Sequence, residues 1–129
     1  MEITHLDHIV LTVQNLKKTV QFYCDVLGME KEVFGNRRVA LKYGNQKINL
    51  HQVGNEFEPK AANPTPGSSD LCFITTTELK DAMKQVRDKG VPIIKGPVSR
   101  IGATGPIESF YIRDPDKNLI EVSTYCIST

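Results

Sequence analysis

The chain has 129 residues, of which 24% are charged and 40% hydrophobic, with Lys+Arg 16 against Asp+Glu 15. A chain of this length buries about two thirds of its unfolded surface and needs no staples to fold, and a formal net charge of +1 leaves no electrostatic case for nucleic acid or an anionic membrane. The odd set Cys24, Cys72 and Cys126, without C-x-x-C spacing, excludes a disulfide framework or zinc ribbon and points to a reducing cytosol; with no basic leader and no run near the roughly 20 apolar residues of a membrane span, a cytoplasmic protein is expected.

From Leu6 the sequence alternates, so Ile9, Leu11 and Val13 share one face of a strand and His8, Val10 and Thr12 the other. A helix follows, capped by Asn15, with Leu16, Val20, Tyr23 and Leu27 at helical spacing and Gly28 at its end. Strands are predicted over residues 31–34, 38–43 and 47–53, with a Gly44-Asn45 turn between the last two. Residues 54–69, rich in proline and glycine and without a period, read as a connector.

The pattern then restarts. Asp70 to Ile74 alternates as a strand, Thr77 is placed to cap a helix that buries Leu79, Met83 and Val86, and Gly90 closes it. Ser109 to Arg113 reads as a strand, Asp114 to Lys117 as a turn and Asn118 to Thr124 as a last strand. The chain is therefore one α+β domain of two βαβββ modules, spanning residues 4–53 and 70–125. The register between the halves slips by one residue inside the helix, so the repeat is one of structure more than of sequence.

Aliphatic stripes bury one face of each strand against a helix and send polar side chains to the other. Ile9, Leu11 and Val13 do so for His8; Ile48 and Leu50 for Asn49 and His51; Leu71 and Phe73 for Asp70 and Cys72; Ile120 and Val122 for Glu121. A carboxylate in the middle of Leu-Ile-Glu-Val-Ser is costly to bury unless it is paired or bound to a cation. Taken singly, such residues are more often hydrogen-bonded or solvent-facing. Four at matching points of two modules point to a divalent ion held by His8, His51 and Glu121, with Asp70 a fourth ligand or a partner to one. Two imidazoles with carboxylates suit Zn, Ni, Mn, Co or Fe(II) and leave positions open for substrate. Asp70 also fits a turn or capping role, and His5 fits no repeat position and reads as surface. Cys72 shares the face of Asp70 and is a candidate reactive thiol or substrate contact there, with an inert small hydrophobe the favoured reading, and Arg100, Arg37 and Arg38 are candidates to clamp an anionic substrate group.

The segments LDHIVLTVQNLKKTVQFYCDVLGME, KINLHQVG and SFYIRDPDKNLIEVS resemble the vicinal oxygen chelate superfamily, the group of glyoxalases, bleomycin-resistance proteins and dioxygenases, along the full chain. KINLHQVGNEFEPKAA and GPVSRIGATGPIESFYIRDP are similar to its glyoxalase domain-containing branch. The resemblance implies that the modules pair as a curled mixed sheet around a cavity, with helices outside, and that His8, His51, Asp70 and Glu121 stand in ligand positions, Asp70 where glyoxalase I usually has a histidine. It implies a lyase or isomerase in which the metal acts as a Lewis acid on a substrate with two adjacent oxygens and Glu121 moves a proton, and a homodimer. A thiol transferase of the fosfomycin-resistance type, an extradiol-type dioxygenase and a metal-free drug-binding module are the rival readings.

Overall fold

The structure is a computed structural model that describes residues 1–126. Its elements follow in the order β1 (His8–Val13), α1 (Leu16–Asp25), β2 (Glu30–Phe34), β3 (Arg38–Tyr43), β4 (Gln46–Gln52), β5 (Asp70–Ile74), α2 (Leu79–Asp88), β6 (Lys95–Gly102), β7 (Gly105–Arg113) and β8 (Leu119–Tyr125). They form two compact units that divide after Ser68. Each holds an open four-stranded mixed sheet, ordered β1-β4-β3-β2 in the first and β5-β8-β7-β6 in the second. In each, the first strand lies parallel to the last and the remaining pairs are antiparallel. The two βαβββ modules expected from the sequence are therefore present.

In the first unit Asn15 caps α1, its side chain accepting from Lys18 N. The helix packs on β2, β3 and β4. Register places Leu11, Val13, Leu41, Ile48 and Leu50 on one face of the sheet, all buried. Burying each such side chain stabilises the fold by about 1.5–3 kcal/mol. From the helix, the fully buried residues are Thr19 and Tyr23, whereas Leu16, Val20 and Leu27 are only half-buried. Thr19 goes inside because its hydroxyl is already satisfied by Asn15 O at 3.0 Å. Gln52 ties the end of β4 to the β1–α1 junction, donating to Gln14 O at 2.7 Å and accepting from Leu16 N at 3.3 Å.

In the second unit α2 packs on β7 and buries Leu79, Ala82, Met83 and Val86. Its N-cap is Glu78, without a side-chain hydrogen bond, and not Thr77 as expected; Thr77 N donates instead to Thr75 Oγ1 at 3.1 Å, closing a turn before the helix begins. Strand β6 is called for by the βαβββ order but was not located in the sequence, where Gly96 to Gly105 is a glycine-rich segment. It is an edge strand, where a proline leaves no ladder bond missing, and its register shifts between Lys95 and Val98. Gly96 has φ 127, and a Cβ there would come within 2.7 Å of Phe110 Cα, so glycine is required where the bulged edge crosses β7.

The Asp-Pro-Asp-Lys-Asn segment is a structural turn. Asp114 Oδ1 accepts from Asp116 N and Asn118 N, both at 2.9 Å, and Oδ2 from Asn118 Nδ2 at 2.8 Å. Asn118 Oδ1 in turn accepts from Ser69 N at 2.8 Å. Both side chains are buried, and this network anchors the entry to β5 beside the start of β8.

Candidate functional site

On the first sheet, the face turned from the helix is set by register. Thr12, His51, Arg38 and Phe34 lie in line across β1, β4, β3 and β2; Val10, Asn49, Ala40 and Glu32 form the next line; His8, Lys47, Lys42 and Glu30 the third. All the expected polar residues of this module therefore share one face. They do not meet: His8 stands opposite Lys47 while His51 stands opposite Thr12, a separation of about 13 Å along the strands. Two imidazoles so placed do not share one ion.

The two histidines also differ in surroundings. His8 is half-exposed, and its Nδ1 lies 2.8 Å from Asp7 Oδ1. A carboxylate only accepts, so Nδ1 donates and Nε2 is the nitrogen left facing away, the orientation found in metal-bound histidines. Hydrogen bonding to His8 holds the Asp7 carboxyl below the usual carboxylate range. His51 is buried, its ring edge-on to Phe57 at 5.5 Å and its Nε2 3.5 Å from Arg38 Nη2. Burial first, and the Arg38 charge second, push its pKa down from 6.5. His51 is thus a neutral base facing a cation.

On the second sheet, Cys72, Glu121, Tyr111 and Lys95 lie in line, flanked by Asp70, Leu119 and Arg113 on one side and by Ile74, Ser123, Ser109 and Val98 on the other. Glu121 Oε2 accepts from Ser109 Oγ at 2.6 Å and from Ser123 Oγ at 3.3 Å, and the two hydroxyls are 2.6 Å apart. Both serines are fully buried. These bonds fix the carboxylate and compensate part of its desolvation. Asp70 is exposed, two ladder positions from Glu121 on the same face, within the diagonal reach of about 7–8 Å. Cys72 Sγ is 3.3 Å from Ser123 Oγ. Protein packed around the thiol raises its pKa, the Ser123 hydrogen bond offsets part of this, and the charges of Glu121 and Asp70 add to the rise, which disfavours the thiolate.

Arg100 Nε donates to Tyr111 Oη at 3.0 Å, and its Nη1 to Ser99 O at 3.0 Å. It is thereby fixed to Tyr111, the residue opposite Glu121 in the β7–β8 ladder. Arg37 adopts φ 61 in the β2–β3 turn, a conformational role. The residue that sequence reasoning passed over is Asn49. It is buried, with Oδ1 lacking any partner among the described residues. It sits two positions past the partner of His8, as Glu121 sits two past the partner of Asp70. Only the register of the two parallel pairs, compared rung by rung, brings this out.

The chain matches the model of the Glyoxalase/Bleomycin resistance protein/Dioxygenase superfamily over residues 5–122 and belongs to that superfamily. Among solved structures, an integron cassette protein from the V. cholerae mobile metagenome superposes with a TM-score of 0.96 at 64% identity, covering 98% of each chain. A virulence protein of Salmonella typhimurium, STM3117, is 55% identical over 97% of this chain and 87% of its own length. A metallothiol transferase of Staphylococcus epidermidis, FosB, is 29% identical over 96% of this chain and 84% of its own.

Members of this superfamily typically bind a divalent metal ion. In the first unit His8 offers an oriented imidazole nitrogen, and in the second Asp70 and Glu121 share one sheet face as two hard carboxylates, donor types that suit a divalent ion. His51 does not fit, because Arg38 faces its free nitrogen. Among the described residues, no three His, Cys, Asp or Glu side chains are clustered closely enough to hold an ion as they stand.

Proposed function

We propose that the protein is a metal-dependent glyoxalase-like lyase or isomerase acting on a small substrate with two adjacent oxygens. His8, Asp70 and Glu121 are the proposed ligand residues. Bound metal supplies a Lewis acid that favours the more anionic form of the substrate. The observation that carries the reading is the bracing of Glu121 by two buried hydroxyls. Ser109 and Ser123 hold Oε2, so that the carboxylate keeps one orientation while it takes a proton from one substrate carbon and returns it to the next. Such a transfer is internally balanced and needs no oxidant. Arg100, fixed through Tyr111, is placed to orient an anionic group of the substrate.

A thiol transferase is the second reading, favoured by the likeness to FosB. Exposed apolar side chains on edge strands, Val33 at 62% and Ile101 at 83%, support assembly as a homodimer. The test is turnover of hemithioacetals, and of fosfomycin with thiols, by metal-loaded protein and by Glu121→Gln. We expect the variant to retain metal and lose at least about 100-fold in turnover. Undiminished activity removes Glu121 from the chemistry.

A further inference from the structure

The cationic group of β3 and β4 is not used by this reading. Arg38 stacks over Phe34 at 5.2 Å and over Phe57 at 4.8 Å, and Lys47 Nζ stands 3.7 Å over the same Phe34 ring. Lys47 starts from the line of His8 and reaches the line of Arg38, so it lies across the small side chain of Ala40 beside Asn49. Neither cation has a carboxylate within ion-pair distance among the described residues. Glu30 and Glu32 share the face but pair with neither. Glu56 bonds Gly54 N and Lys60, and Asp7 bonds His8. Two cations thus converge on aromatic rings, with buried Asn49 Oδ1 beside them still lacking a donor.

Cation–π contacts contribute less than a charge-assisted pair with a carboxylate. His51 Nε2 accepts from Arg38 and so turns the guanidinium fork without neutralising it. We infer that Arg38, Lys47 and Asn49 form a binding site for a small organic anion that carries a hydroxyl next to its charge. The anion lies between Arg38 and Lys47, and the hydroxyl donates to Asn49 Oδ1. Phe57, 41% exposed, offers an apolar surface to the rest of the ligand. This site uses none of the proposed metal ligands, although Lys47 is the ladder partner of His8.

The test is calorimetric titration of chelator-treated full-length protein, with no turnover measured, so that failure here is distinct from failure of the metal reading. The probes are mandelate, phenylacetate, which lacks the hydroxyl, and mandelamide, which lacks the charge. Mandelate is expected to bind at about 1 mM or tighter, phenylacetate at least about fivefold more weakly because Asn49 stays unpartnered, and mandelamide at least about tenfold more weakly. Arg38→Gln and Lys47→Gln should each weaken mandelate about tenfold or more, while Lys84→Gln on α2 leaves it unchanged. Should Arg38→Gln not fold, Lys47→Gln carries the test alone. No binding of mandelate by the unaltered protein, equal binding of all three probes, or equal affinity in the folded variants overturns the inference.

Discussion

Asp7 Oδ1 and His8 Nδ1 are 2.8 Å apart, and this contact decides which imidazole nitrogen is offered to a ligand. Asp7→Ala leaves the tautomer unfixed and is expected to weaken divalent-ion affinity about 10-fold or more. Metal titration followed by equilibrium dialysis reads this directly, and an unchanged affinity removes His8 from the ligand set.

Ser109 is wholly buried and shared between Glu121 and Ser123. Ser109→Ala takes away the shorter of two bonds to Glu121 Oε2, with an expected stability cost of about 1–3 kcal/mol. Ser123 remains at 3.3 Å and keeps partial orientation, so turnover should fall less than in Glu121→Gln. Chemical denaturation together with kcat on the same sample separates the two effects.

His51 links stability to pH. Its folded pKa lies below 6.5, so the unfolded chain takes the proton first as pH falls. The stability held by neutral His51 is complete above about pH 7 and is lost as pH drops through about 6.5 toward the folded value, by at most about 1.4 kcal/mol per pH unit. In His51→Gln this dependence disappears. Melting temperatures measured between about pH 7.5 and pH 5.5 should therefore converge for variant and parent as pH falls, and parallel curves refute the assignment.

Asn118 joins the β7–β8 turn to the start of β5 through Asp114 and Ser69. Its replacement by Ala takes a donor from the buried Asp114 carboxylate and an acceptor from Ser69 N, at a cost of about 2–4 kcal/mol. Thermal melting should show the loss, while the mandelate affinity set by the first module stays as it was.

Gly96→Ala places a methyl group against Phe110 and strains a φ of 127. The expected loss is about 2 kcal/mol or more. A stability equal to that of the parent would mean that the β6 edge relaxes away from β7.

Period and punctuation were enough to read both βαβββ modules, since alternation and helical spacing are local properties of the chain. Asn15, Gly28 and Gly90 marked helix ends for the same reason. Strand β6 was not legible, because an edge position tolerates the proline and glycines that argue against a strand elsewhere. Face assignment was legible too: His8, His51, Asp70 and Glu121 do lie on the sheet faces turned from the aliphatic stripes.

What the sequence by itself determined, then, is which side of each strand a residue occupies, because side chains alternate whatever the neighbouring strand does. How far apart two residues of that side lie was decided only by the tertiary structure, through ladder register. A pairing that sets Thr12 beside His51 and Lys47 beside His8 puts one histidine with Arg38 and the other with Asp7. It also brings Asn49, which was read from the sequence only as a neighbour of His51 on that face, to the rung that Glu121 occupies in the second module. Register is a property of two strands paired at a distance along the chain, and no single stretch of sequence carries it.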